Sequence, residues 1–386
     1  FNQFHDILGG SSLRIAYKDV FDQIGAAAAI ADQQKTILLR KHAATLTRPD
    51  GQVIALVNSL DQTCNGWIEH TIWNLEEGDS FQLIDQNHRE IPFQQVRPEA
   101  PEYTDSRQVL IPSELAPAEW RFISVVPHKK PTPLDTDLKA DPYSIRNSLW
   151  QIDTQDQSIT LQNQNHKIEL EWLVRQDTSD TWSHGLDRFN ETVIGSFTRR
   201  KVYIDESGPL RTTLNWIADW EKSRIVVKVR LYRHEPWAEV LITAIWNAKH
   251  ALLKCNVKNS TDFDNRVDGI PGSFQPRPMD GSEYPFHDWM MVNINNTKDK
   301  LALISPDIFG LDCDSNAIAL TLLRSPVYAH DLGTKLHPDW EYDYTDLGRH
   351  DYRMLISLGE KITAPDLTRI ARQIQQPPIV WDMPWQ

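Results

Sequence analysis

The 386-residue chain has only three cysteines, Cys64, Cys255 and Cys313, widely spaced and without a C-x-x-C pair. Neither a disulfide framework nor a thiolate zinc knuckle is supported, and the expected compartment is reducing and cytoplasmic. Long hydrophobic runs are also missing. The longest, Ile24 to Ala31, falls far short of the roughly 20 residues that cross a bilayer, and no charged segment precedes a signal-like core. Positive charge is in deficit: 40 Lys and Arg against 53 Asp and Glu give a formal charge of −13. That excludes the basic footprint that nucleic acids and anionic membranes require, so neither is an expected partner. No Gly-rich phosphate loop and no G-x-S-x-G elbow occurs. An initiator methionine is absent too. The chain opens at Phe1 inside an amphipathic stretch, which leads us to expect a piece of a longer protein.

The length predicts two or three domains at about 150 residues each. Fourteen Trp, ten Tyr and twelve Phe suit sugar stacking and β-sandwich cores equally well. From Ser12 to about Thr45 the apolar positions Leu13, Tyr17, Val20, Phe21, Ile24, Ala28, Ala31, Leu38 and Leu39 recur at helical spacing, predicting one long helix with a buried stripe. Ser11 and Ser12 offer caps, and Gly9-Gly10 lets a preceding helix end in a left-handed turn. After the Pro49-Asp50-Gly51 turn the period changes. Short β-branched or aromatic segments at Val53–Asn58, Trp67–Trp73, Ser80–Ile84 and Ile91–Val96 predict a small β-domain. A proline-rich stretch, Arg97 to Pro101, marks a boundary, and a second lies at Pro127–Pro142. Strand patterns then run from Ser158–Gln162 to Ala317–Leu323 with no interleaved helices, so a large antiparallel two-sheet sandwich is the economical architecture. The expected division is a helical segment over 1–48, a small β-domain over 50–100, a large sandwich over 101–369 and a connecting tail over 370–386.

His5-Asp6 is the first chemically suggestive pair, because an imidazole beside a carboxylate can bind a divalent metal while the carboxylate holds a substrate hydroxyl. In isolation such a pair is more often a cap or a surface feature. Its context is Phe1-Asn2-Gln3-Phe4-His5-Asp6-Ile7-Leu8-Gly9-Gly10-Ser11-Ser12, which resembles the Asn-Gln-Phe-His-Asp-Ile-Leu-Pro-Gly-(Ser/Thr)-Ser motif of the retaining α-mannosidases of glycoside hydrolase family 38. The departure is Gly9, where that family usually has Pro. Further stretches resemble the family in order: Gln275-Pro276-Arg277-Pro278, Glu283-Tyr284-Pro285 with Trp289, Leu320 to Pro326, and Asp346 to Tyr352. Arg349 stands where the family pattern has Glu, which puts any role of that carboxylate in doubt.

The resemblance implies a fold: the end of a three-helix bundle, a small β-domain and a β-supersandwich similar to that of galactose mutarotases. It implies that His5 is a zinc ligand and that Asp6 contacts the sugar bound there. It also implies a double displacement at a terminal α-mannosyl residue of an oligosaccharide, with nucleophile, acid/base and the other zinc ligands in a catalytic domain upstream of Phe1. No catalytic residue is expected within the chain. By itself it is expected to hold little or no zinc and to hydrolyse nothing, and a homo-oligomer is compatible with the reading.

Arg277, between two prolines, is a candidate for reaching sugar hydroxyls; the competing reading is a rigid loop in which it pairs with Asp280 or Glu283. The dense set His330, Asp331, His337, Asp339, Glu341, Asp343, Asp346, His350 and Asp351 contains metal-type ligands, but its turn residues favour a solvated loop. Trp216/Trp220 and Trp237/Trp246 lie in strand-like runs and read as core packing rather than a sugar platform, and Arg199-Arg200-Lys201 as a solvated strand edge. Two alternatives to the hydrolase remain: a carbohydrate-binding β-sandwich module without hydrolytic activity, and a mutarotase-like epimerase, which needs a buried His and a carboxylate on one concave sheet.

Overall fold

The computed structural model describes residues 2–47, 51–75, 78, 80–98, 105–189 and 192–383. The turn expected at Pro49-Asp50 and the boundary expected at Glu99 to Pro101 lie outside them. Two helices open the chain, α1 (His5–Leu8) and α2 (Arg14–Ala43). Gly10 sits between them at φ 75°, the left-handed conformation that glycine adopts without a Cβ penalty. α2 is long because it has an alanine run at its middle and no interior proline. Its cap position is Leu13, with no side-chain capping bond, so Ser11 and Ser12 do not play that part. The expected buried stripe is corrected as well. Val20 and Ala43 are the buried residues of α2, whereas Ile15, Phe21, Ile24, Ile30 and Leu38 are exposed. Periodicity decides which residues share a face, not whether anything covers it.

The small β-domain is two facing sheets. One orders the strands Ile379–Asp382, Val53–Val57, Trp120–Pro127, Phe81–Asp85 and Glu90–Ile91; the other orders Cys64–Ile72, Arg107–Leu115 and Gln94–Gln95. Ile54, Leu56, Ile68, Ile72, Phe81, Leu83, Val109 and Ile111 fill the space between them. The expected boundary at residue 100 is therefore too early, because the next two strands pair back: Arg107–Leu115 with Cys64–Ile72, and Trp120–Pro127 with Val53–Val57. The tail is corrected too. Residues Ala364–Gln375 form α3, and Ile379–Asp382 adds a strand beside Val53–Val57. Proline spacing marks where chains turn; it does not say that Val57 pairs with Ile379 far along the chain.

Among the described residues the large sandwich has a ten-stranded and a nine-stranded antiparallel sheet. Strict alternation in Lys167–Gln176 and Ser223–Tyr232 turns Ile168, Leu170, Trp172, Ile225 and Val227 into one continuous core. Trp216 and Trp246 are fully buried; Trp216 stacks on Trp172 at 5.0 Å and Trp246 on Trp220 at 6.0 Å, as the core reading expected. Arg199 to Lys201 lie on the strand Thr198–Ser207 at the edge of the nine-stranded sheet, where Arg200 pairs with Asp219 at 3.2 Å. α3 is capped by Thr363 and covers the outer face of that sheet, seating Leu367 and Ala371 against Trp289, Ile304 and Leu355.

The two β-units are joined by polar groups as well as by apolar ones. Gln94 is buried and bonds the backbone of Leu210 and Arg211, and a Cβ on Gly208 would lie 2.2 Å from its amide carbon. Behind it, Glu239 accepts from Tyr232 Oη at 2.7 Å and Arg353 Nε at 2.6 Å, with Arg230 at 3.5 Å. Burial by itself raises the pKa of Glu239, but the charges of Arg353 and Arg230 and the Tyr232 hydroxyl outweigh it and hold the carboxyl below its usual range. The sign follows: this carboxylate contributes stability above its unfolded pKa near 4.3, and that contribution is lost as pH falls through the lower folded value. In acid titrations of unfolding free energy, Glu239→Gln is expected to flatten the slope below about pH 4.3 by up to ~1.4 kcal/mol per pH unit. An unchanged slope would contradict the assignment.

Candidate functional site

His5 and Asp6 open α1 with their side chains in solvent, 76% and 67% exposed, and His5 Nε2 lies 3.1 Å from Asp6 Oδ1. The segment has a defined seat. Tyr17, one helix later, donates its hydroxyl to the Ile7 carbonyl at 2.9 Å and accepts from the Ser12 amide at 3.1 Å. α2 in turn rests on the sandwich: Arg14 pairs with Asp343 at 2.6 Å, and the Tyr17 and Tyr328 rings are 5.9 Å apart. The His5-Asp6 end is thus anchored to the loop between Pro326 and Asp346.

Arg324, at the end of the strand Ala317–Arg324, organises the ground beneath that loop. Its guanidinium donates to Asp177 Oδ2 at 2.6 Å, Ser179 Oγ at 2.5 Å, the Thr181 carbonyl at 3.1 Å and the Asp180 carbonyl, and lies 5.1 Å over Phe189. Its own amide donates to Asp346 Oδ2 at 3.0 Å. Thr181 then ties the two loops, donating to the Val327 carbonyl at 2.6 Å and accepting from the His330 amide at 2.9 Å. The Glu283 amide bonds the Asp187 carbonyl at 2.8 Å and carries the network to the Gln275–Pro285 segment. Four segments singled out by their motifs are therefore joined through one set of contacts. The sequence reading missed the hub of this network, the run Asp177-Thr178-Ser179-Asp180, whose cluster of short capping side chains was the available signal.

Arg277 pairs with neither Asp280 nor Glu283. Its Nε is 4.0 Å from Asp268 Oδ2, its guanidinium lies 5.5 Å over Tyr284, and its Nη2 reaches the Pro285 carbonyl at 3.5 Å. Asp268 is already forked by the buried Arg266 at 2.9 and 2.6 Å, so Arg277 is a second, outer cation on one buried carboxylate. Glu283 is engaged elsewhere. With Asp312 it neutralises the fully buried Lys254, both at 2.5 Å, and it accepts from Thr321. Arg277 remains 21% exposed.

Zinc takes three or four protein ligands. His5 is one, Asp6 being the expected sugar contact, and the one convergent trio of His, Cys, Asp or Glu donors among the described residues is Asp180, His184 and Asp331. That trio already has bonding partners: Asp180 accepts from the His184 amide, His184 Nδ1 and the Leu332 amide, and Asp331 from the Gly333 amide. Burial works against the charge on Asp180, but these hydrogen bonds prevail and hold its carboxyl below the ordinary range. It is a loop staple. Of the other residues in the dense His/Asp set, Asp343 serves Arg14, Asp351 serves Arg349 and Thr243, and His337 stacks on Trp340, so no single centre forms from them. Among the described residues, no third His, Cys, Asp or Glu donor converges on His5 and Asp6.

The fold is shared over the whole chain with two solved structures. One is a protein in glycosyl hydrolase family 38 from Enterococcus faecalis, 14% identical, covering 100% of this chain and 54% of its own, with a TM-score of 0.75. The other is an alpha-mannosidase from Enterococcus faecalis V583, 13% identical, covering 99% of this chain and 52% of its own, with a TM-score of 0.74. The chain therefore spans about half the length of these two structures and shares the fold of that part of them. Residues 152–341 match the C-terminal domain of glycosyl hydrolases family 38. No curated protein sequence matches it. Among the described residues no helix is long and apolar enough to cross a membrane.

Proposed function

We propose that this chain is the C-terminal part of a zinc-dependent retaining α-mannosidase that removes terminal α-mannosyl residues from oligosaccharides. The match of residues 152–341 to the family 38 C-terminal domain carries the reading. The exposed His5-Asp6 pair supports it: a metal ligand shared with another part of the whole protein has to be displayed, and this pair is displayed on a segment anchored by Arg14 and Tyr17. In this reading His5 offers one imidazole nitrogen to a metal whose remaining ligands lie outside the chain, and Asp6 accepts from a sugar hydroxyl. The attacking and proton-transferring carboxylates also lie outside it. The uncovered apolar face of α2 fits the same view, since Ile15, Phe21 and Ile24 are the kind of surface that a neighbouring helix covers. A mutarotase-like epimerase fits less well. His166, the buried histidine among the described residues, is tied to Asp299 at 2.9 Å.

The test is release of mannose from an aryl α-mannoside by the whole protein expressed from its natural start. His5→Ala is expected to lower kcat/KM by more than about 100-fold, because even residues that merely orient a metal ligand are typically worth 10–100-fold. The 386-residue chain alone is expected to release none. Undiminished activity in His5→Ala overturns the ligand assignment.

A further inference from the structure

We propose that the cleft where the small β-domain, the nine-stranded sheet and α3 meet is a binding pocket for a single pyranose ring. The proposal rests on the lining of this cavity and not on the hydrolase reading. The cavity holds about 230 Å³, below the ~300–1,000 Å³ of drug-sized sites, which suits one ring rather than an oligosaccharide. One wall is aromatic: Trp67 lies 5.1 Å from Tyr232, and Tyr232 lies 5.1 Å from Trp237. Tyr232 is buried, whereas Trp67 and Trp237 are only partly so, leaving indole surface for contact with a ligand.

The polar groups select the ligand class. Trp67 Nε1 donates to Glu235 Oε1 at 3.0 Å, which orients a carboxylate whose other oxygen has no partner among the described residues. Gln373 of α3 is 9% exposed and donates its amide N–H to the Thr63 carbonyl at 2.8 Å; its own side-chain oxygen has no such partner. Opposite sign is present as well. Arg353 lines the cleft while pairing with Glu239 at 2.6 Å, and Arg369 stands on the rim, 40% exposed and 3.6 Å from Asp366. An anionic ligand would meet Glu235, and a cationic one would meet Arg353 and Arg369. A neutral ligand that both donates and accepts satisfies all of them: hydroxyls donate to the Glu235 and Gln373 oxygens and accept from guanidinium N–H groups. The indole faces favour a ring with an apolar C–H surface over an acyclic polyol. Those two requirements together describe a pyranose.

The experiment titrates the 386-residue chain with methyl α-mannoside, methyl α-glucoside and methyl β-galactoside, read by saturation-transfer NMR and tryptophan fluorescence. Saturable binding of at least one glycoside is expected, weakened about fivefold or more in Glu235→Gln, where a charged acceptor becomes a neutral one. Absence of saturable binding by all three overturns the proposal, as does wild-type affinity in a Glu235→Gln protein that melts like the wild type. If Glu235→Gln melts lower, Arg369→Ala decides. Its rim side chain can be removed without touching the core, and unchanged affinity there also overturns the proposal. Because no hydrolysis is measured, these outcomes are separate from those of the His5→Ala assay.

Discussion

Replacing Arg211 with alanine is expected to cost about 3–5 kcal/mol of unfolding free energy, the range for removing one partner of a buried charge network. Arg211 is 2% exposed. It forks Glu206, donates to Glu69 at 2.5 Å and lies 5.6 Å over the Tyr232 ring. Glu206 is almost as buried, so the substitution strands an uncompensated carboxylate. Arg211→Lys is expected to recover little, because a single ammonium cannot fork Glu206 and reach Glu69 at once. Glu69 belongs to the small β-domain and Arg211 to the sandwich, so the loss also loosens the joint between them. Urea denaturation followed by tryptophan fluorescence measures this. A cost below about 1 kcal/mol would show that the network is not a determinant of stability.

Arg324→Ala is expected to cost a similar amount, about 3–5 kcal/mol, since Asp177 is 1% exposed and loses its counter-ion. Its further consequence is positional. The loops that Arg324 gathers are those on which Arg14 and Tyr17 seat the His5-Asp6 segment. In the whole protein, the variant is therefore expected to lose activity as well as stability, through the loops that Arg324 holds rather than through contact with substrate. The distinguishing measurement is limited proteolysis within 177–189 and 326–346. Faster cleavage there, at a temperature where the fold persists, supports the hub role; an unchanged pattern with wild-type stability refutes it. Asp177→Asn is the companion variant, keeping the shape while removing the charge.

Much of the strand placement was legible. Alternation in Lys167–Leu173, Ile225–Tyr232 and Ala238–Trp246 placed strands within a few residues of their observed bounds, because each side chain's face is decided locally by the pleat. Glycine chemistry placed the turn at Gly10. The edges of the small β-domain were not legible. Trp120–Pro127 and Ile379–Asp382 flank Val53–Val57 from opposite sides, and nothing local to either strand encodes that partnership. Arg277 shows the same limit at the scale of a site. Its neighbours in sequence offered Asp280 and Glu283, but Glu283 neutralises Lys254 from another strand, and Arg277 turns to Asp268 and Tyr284.

By itself the sequence determined the class of the molecule: a mainly β chain with one long helix, buried tryptophans, no membrane-spanning run, and the motifs of a glycosidase family. These are properties of composition and short-range periodicity, which a linear reading contains. Only the tertiary structure decided that the apolar stripe of α2 is exposed, that His5 and Asp6 are displayed and anchored, and that the buried Arg211 and the half-buried Arg324 are hubs. The physical reason is that burial and the neutralisation of a buried charge depend on which distant segments arrive at the same place. That is fixed by the joint packing of all the sheets and not by any one stretch of residues.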